Sequence, residues 1–423
     1  MKPFFLALAL LAGCTAVAQE PDHIYRDHIS TVKLYVSGNP LAYPIWKLNS
    51  TETLELHFDD LDPVVRNYSY TYQLCNADWT PAILSQFDYI KGFSQQRITT
   101  YRNSSIAYTR YIHYQAVLPD RNCRPSRPGN YLLKVFADGD TSKLIFTRRL
   151  LVLEDRAPVA AQIQQPFNGQ YFRTHQKIQF TVNTAALNLV NAAQQINVCI
   201  LQNNRWDNYL HNIRPTFMRP GMLEFNTEED ALFPGGREWR WLDLRSFRLQ
   251  SDRVAKVDYA AGKTDVYVVS DQDRSRLRFV YYLDNNGMYY NATLDNNNPL
   301  WQGDYATVHF SYIPPGGGPI RGKDVYLFGE LTGYGDGGKG KMGYNEATGM
   351  YETTLFLKQG YYDYSYITID PMSDHPRPSF SDTEGNFWDT ENTYTILVYY
   401  QALGDRADKL IGLTKVNSLT ARP

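Results

Sequence analysis

A chain of 423 residues is long enough for about two to four domains, each able to bury its own core without a metal or disulfide staple. The net charge of -2, from 42 basic and 44 acidic residues with no long run of one sign, gives no basis for a nucleic-acid or anionic-membrane partner. An aromatic fraction of 14%, most of it from 33 Tyr, points to pleated, half-buried surfaces and hence to β structure.

The chain opens as an export signal. Lys2 precedes an apolar stretch, Phe4 to Ala12, and then small residues. That stretch is too short for a spanning helix, which needs about 20 apolar residues. No later stretch is long enough either, so the mature protein is expected to be soluble or peripherally attached outside the cytoplasm. Two cleavage readings stay open. Ala16-Val17-Ala18 before Gln19 suits ordinary signal peptidase. Leu11-Ala12-Gly13-Cys14 resembles a lipobox, in which Cys14 would carry a lipid anchor. The short apolar region before Cys14 and the lack of sorting charges after it favour ordinary cleavage.

From residue 19 onward, strand-like alternation recurs between Gly, Pro, Asn and Asp punctuation. The first block, 19–156, contains Leu54 to Phe58, Tyr68 to Tyr72, Tyr111 to Val117, Tyr131 to Phe136 and Leu144 to Val152 as strands. Asp138-Gly139-Asp140 reads as a hairpin tip. The pattern suits an immunoglobulin- or fibronectin-like sandwich. Ala157-Pro158 marks a linker.

The second block, 157–303, carries Ile178 to Val182 and Ile196 to Leu201 as strands. A hairpin is expected from Arg278 to Leu283, through a type I′ turn at Asn286-Gly287, into Met288 to Tyr290. The third block, 304–423, carries Ala306 to Tyr312, Asp324 to Gly329, Met350 to Leu355 and Gly360 to Tyr366. Gly337 to Lys341 reads as a mobile hairpin loop. The expected fold class is therefore all-β, a tandem of immunoglobulin- or fibronectin-like sandwiches.

Tests for chemistry return no assignment. There is no G-x-S-x-G elbow, and no strand-then-helix setting for one. The 8 His are scattered and none has helical metal-ligand spacing, so packing roles are expected. Asp284 to Gly287 partly matches a calcium loop, but a hairpin turn explains the same residues more simply. Catalytic, cofactor-binding and metal residues are assigned as none. Of the 4 Cys, Cys75 and Cys199 lie in apolar runs as buried thiols, and a Cys75–Cys123 disulfide is the less favoured alternative.

The third block resembles the early-set sandwich of glycogen-binding modules through Val325 to Gly329, Tyr351 to Leu355 and Gly360 to Tyr364. Those modules stack sugar on exposed Trp; here the loop after Gly329 offers only Tyr334. An envelope glycan-binding module acting through this sandwich is the alternative function.

A second resemblance spans nearly the whole mature chain. Tyr72-Gln73-Leu74-Cys75-Asn76-Ala77-Asp78-Trp79-Thr80-Pro81, Asp88 to Phe93, Tyr111 to Tyr114 and Pro128 to Tyr131 resemble the first domain of the type IX secretion system plug proteins of Bacteroidota. Phe233 to Arg240 with Leu242 to Arg245 is similar to their middle region. Glu384-Gly385-Asn386 and Thr390 to Tyr394 are similar to their last domain. Structurally, Tyr72 and Trp79 are expected in the first core, with Arg237, Glu238 and Asp243 pairing around a buried loop. The resemblance implies a non-enzymatic periplasmic protein at the inner side of the outer membrane. Its partner would be the translocon barrel, whose periplasmic mouth it seals, with no cofactor, nucleic acid or small-molecule substrate.

Overall fold

The computed structural model describes residues 20–260 and 262–422. The export signal, its cleavage point after Ala18 and Cys14 lie outside the described residues. Strands dominate, and the α-helices among the described residues are single turns such as Gln86–Tyr89 and Pro299–Gln302. The all-β expectation holds.

The first unit is a two-sheet sandwich. One sheet orders Ile29–Val36, Leu54–Asp60, Ile112–Leu118 and Thr100–Asn103. The other orders Ile45–Lys47, Leu144–Leu153, Gly129–Ala137, Tyr68–Cys75 and Gln96–Ile98. Phe58 anchors the core, stacking on Tyr114 at 5.1 Å and meeting Tyr68 and Phe146 edge-on at 5.3 and 5.0 Å. Side chains alternate across a strand, so the unbroken apolar run Leu150 to Leu153 must serve two faces. Leu150 and Val152 fill this core, while Leu151 and Leu153 point outward into a second apolar cluster with Cys199, Leu201, Leu397, Tyr399 and Leu410.

That second cluster belongs to the junction with the middle unit. There, Val159–Gln164, His175–Asn183, Met222–Phe225 and Phe217–Arg219 form one sheet, with Leu232–Pro234 also on His175–Asn183. The opposing sheet orders Leu210–His211, Ile196–Gln202, Thr393–Tyr400 and Lys409–Asn417. Strand pairing thus crosses the expected boundary between 303 and 304, with a ladder from Ile196↔Tyr400 to Gln202↔Tyr394. Tyr394, Ile396 and Val398 join Val198 and Ile200 in one core. The last two strands of the chain close the middle sandwich, because their alternating apolar face matches its open side.

The third unit lies between these two passes. Gly360–Ile369 is its hub, pairing with Arg240–Asp243, Tyr289–Asn291 and Asp324–Phe328. The facing sheet is built on Tyr305–Ile313, antiparallel to Met350–Lys358 and parallel to Lys263–Val268. Leu242, Val308, Phe310, Leu327, Tyr362 and Tyr364 fill the core.

The expected hairpin around Asn286-Gly287 is corrected. The turn exists, with φ of 54° and 80° at the two positions, as a type I′ turn requires. Residues 278–283, however, form no strand, and Tyr289–Asn291 pairs with Gly360–Ile369 instead. Arg237 holds the preceding segment by donating to the carbonyls of Arg274, Leu277 and Arg278 at 2.6, 3.1 and 2.5 Å, so its backbone acceptors find a side chain rather than a ladder. The loop 337–341 does return the chain antiparallel to Asp324–Phe328, through a bridge between Tyr326 and Lys341. It ends a 3₁₀ stretch, Glu330–Gly338, and Gly340 accepts from Leu327 N at 2.8 Å.

Candidate functional site

The three units meet around one junction, and each pair of units is joined by groups removed from water. Between the first and third, Asp59 is fully buried and accepts from Lys358 Nζ, the Tyr305 hydroxyl and His113 Nδ1 at 2.6, 2.6 and 2.7 Å. Burial opposes ionisation of Asp59, but Lys358 and His113 more than offset this and hold its carboxyl below the usual range. His57 extends the chain, 3.1 Å from His113; burial and the neighbouring imidazole push it down to about 4. Nearby, buried Lys33 bridges to Glu330 at 2.6 Å and donates to the Tyr289 carbonyl at 2.9 Å.

Between the first and second units the contact is aromatic. Trp79 meets Trp206 edge-on at 4.9 Å, and the Arg149 guanidinium lies 4.9 and 5.2 Å from their rings. Tyr43 accepts from Trp206 Nε1 at 2.6 Å. Trp79 was expected in the first core, as Tyr72 is, but it caps this junction instead. Its φ of 67° is the reason: the turn from Asn76 to Thr80 holds it in the left-handed region and swings the indole outward.

Between the second and third units, buried Arg205 sits 4.8 Å from the Phe328 ring, 5.4 Å from Phe380, 5.8 Å from Tyr334 and 6.0 Å from Trp239. A buried ionic network adjoins it. Glu384 accepts from Arg240 at 2.9 Å and Arg274 at 2.6 Å, and Arg240 also reaches Asp271 at 2.7 Å. Burial would raise the Glu384 carboxyl, but the two guanidinium groups hold it down at about 2. Beside it the opposite holds. Burial pushes Glu238 and Asp363 up to about 8 and Asp284 up to about 7, and the Arg274 guanidinium, which favours ionisation of Glu238 and Asp284, does not outweigh it.

Two motifs that are far apart in the chain come together here. Gly236 N donates to Asn386 at 3.0 Å, the Thr390 hydroxyl donates to the Gly236 carbonyl at 2.8 Å, and Asn392 donates to the Gly235 carbonyl at 2.8 Å. Arg237, Glu238 and Asp243 do not pair with one another. Arg237 takes backbone carbonyls, Glu238 accepts from Glu391 N at 3.1 Å, and Asp243 pairs with Arg245 at 2.6 Å. Nothing in the sequence signals that the two motifs touch; both simply combine small, polar and charged residues in a loop.

A cleft of about 690 Å³ opens at this junction, lined among others by Lys33, Tyr43, Arg149, Trp206, Glu330 and Tyr334. Within it Lys33 pairs with Glu330 and Arg149 with Asp22. Tyr334 is no open sugar platform: its ring packs edge-on against Phe328 at 5.6 Å and under Arg205. Asp284, from the partial calcium pattern, spends its oxygens on Trp239 N and Asn286 N at 2.5 and 2.8 Å. Cys75, Cys123 and Cys199 are buried free thiols, so the Cys75–Cys123 disulfide is not formed, and burial pushes each thiol up to about 12.

Comparison with solved structures finds a crystal structure of a hypothetical protein from Parabacteroides merdae ATCC 43184. It is 29% identical, with a TM-score of 0.90 over 94% of this chain and 99% of that one. No curated protein matches. Residues 29–154 match the family model described as type 9 secretion system plug protein 1st domain. Over residues 29–154, its first sandwich, the chain is thus similar to the first domain of the type 9 secretion system plug proteins.

Proposed function

We propose that the chain is a non-enzymatic periplasmic plug that seals the periplasmic opening of the type IX translocon barrel in the outer membrane. The observation that carries this reading is the junction: three sandwiches fastened to one another by buried ion pairs, a buried cation among aromatic rings and a shared apolar cluster. Domains joined in one chain move relative to each other by default unless the interface is large and apolar. A seal has to present one broad surface without yielding, and these joints supply that. The three sandwiches span 20–156, 157–234 with 391–422, and 235–390 in this reading. The return of the chain into the middle sandwich ties the third unit at both ends. Release would follow from competition between the plug and other partners for one surface, a shift of populations rather than a reaction.

The test is co-purification of the tagged protein with the barrel subunit from native membranes. Recovery of the barrel in stoichiometric amount supports the reading. Reproducible recovery of the protein alone overturns it.

A further inference from the structure

Glu20, His23 and Asp336 bring one imidazole and two carboxylates to a single point beside the cleft, from segments more than 300 residues apart in the chain. His23 Nδ1 lies 2.9 Å from Asp336 Oδ2 and 3.3 Å from Glu20 Oε2. Tetrahedral zinc with ligand bonds of about 2.0–2.1 Å separates its ligand atoms by about 3.3 Å, which the Glu20 spacing matches, while the Asp336 contact would open from its hydrogen-bond length to reach it.

Each donor is held in place by contacts of its own. Residues 20 and 23 are pinned to the strand Leu144–Leu153: the Thr147 hydroxyl donates to the Glu20 carbonyl at 2.6 Å, and Thr147 N donates to the His23 carbonyl at 2.9 Å. The Tyr25 ring meets the His23 ring edge-on at 4.5 Å and fixes its plane. Asp336 is fixed by its 3₁₀ turn, where its carbonyl accepts from Lys339 N at 3.1 Å.

Lys339 acts on Asp336 through its charge but forms no ion pair with it. Neither Glu20 nor Asp336 has a Lys or Arg within ion-pair distance among the described residues, and both carboxylates converge on one ring nitrogen. A single Nδ1–H can be donated to only one of them at full strength. The other is left facing an acceptor of like charge, which a divalent cation would relieve.

We propose that Glu20, His23 and Asp336 form a binding site for a divalent transition-metal cation of the zinc class. It clips the entry segment of the first unit to the Glu330–Gly338 loop of the third. Three protein ligands leave a fourth tetrahedral position for water. The sequence conceals the site because its ligands come from opposite ends of the fold and form no local motif.

The test uses the purified protein without a polyhistidine tag, stripped of metal and titrated with Zn²⁺ by calorimetry, with Ca²⁺ as control. Expected are one Zn²⁺ per chain and a rise in Tm on loading. His23→Ala and Asp336→Asn should each weaken binding about tenfold or more. Ca²⁺, which needs six to eight oxygen ligands, should leave Tm unchanged. Glu20→Gln, in an exposed residue whose loss cannot unfold the protein, should weaken Zn²⁺ binding with the Tm of the metal-free protein unaltered. The inference is overturned if Zn²⁺ does not bind, if binding survives all three substitutions, or if Ca²⁺ raises Tm as much as Zn²⁺ does.

Discussion

Lys358 Nζ sits 2.6 Å from Asp59 Oδ2, with both side chains closed to solvent and the two residues 299 positions apart in the chain. The pair joins the first sandwich to the third. Truncating one member of such a pair leaves the other charge buried and alone, a loss of about 3–5 kcal/mol. Lys358→Met should therefore destabilise strongly in urea unfolding. Lys358→Met with Asp59→Asn should recover much of the loss. Equal destabilisation by the single and double variants would show that the charges are not coupled.

The carboxylates around the joint between the second and third units set a pH dependence. Glu238, Asp284 and Asp363 are raised to between about 7 and about 8, so the folded protein keeps protons that the unfolded chain releases. Stability then falls as pH rises from the ordinary carboxyl range toward 8. Glu384 runs the other way. Its carboxyl is held at about 2, so its contribution is full above the ordinary range and is lost as pH falls toward that value. Tm should rise from pH 8 to pH 5 and drop below pH 4. A Tm that climbs steadily from pH 5 to pH 8 would contradict the buried-carboxyl reading, and Asp363→Asn should flatten the upper limb.

Trp206 bridges the first two units through Trp79, Arg149 and Tyr43. Trp206→Ala removes the ring that all three share, at a cost of about 2 kcal/mol or more for a half-buried indole. In calorimetry the single unfolding transition should broaden or split, since the loss falls on a joint. A uniform shift with unchanged width would mean that the apolar cluster behind it carries the coupling alone.

Gly287 lies against the face of Trp239, where an added Cβ would come within 2.7 Å of the ring, at a φ of 80°. Gly287→Ala combines overpacking of about 1–3 kcal/mol with the left-handed penalty of about 1 kcal/mol. Urea unfolding should show a loss of that order. A neutral outcome would mean that the indole shifts freely, which its packing on Phe380 and Phe328 opposes.

Some of this protein could be read from its residues in order. Alternation at Leu54, Leu56 and Phe58, and runs such as Tyr131 to Phe136, give strands because side-chain period and β propensity are local properties. The buried thiols followed from apolar neighbours in the same way. The motif at Asn76 to Thr80 was legible as a family mark, while its geometry was not: only the left-handed turn at Trp79 sends that ring to the joint. Tertiary structure alone decided which strands share a sheet. Thr393–Tyr400 could have paired with any open edge, and it closes the middle sandwich because its apolar face completes that core. The same holds for Asp59 with Lys358, and for Glu20 and His23 with Asp336. Charge pairing across hundreds of residues leaves no periodic trace in sequence, since what fixes it is the docking of whole sandwiches that exclude water around the pair.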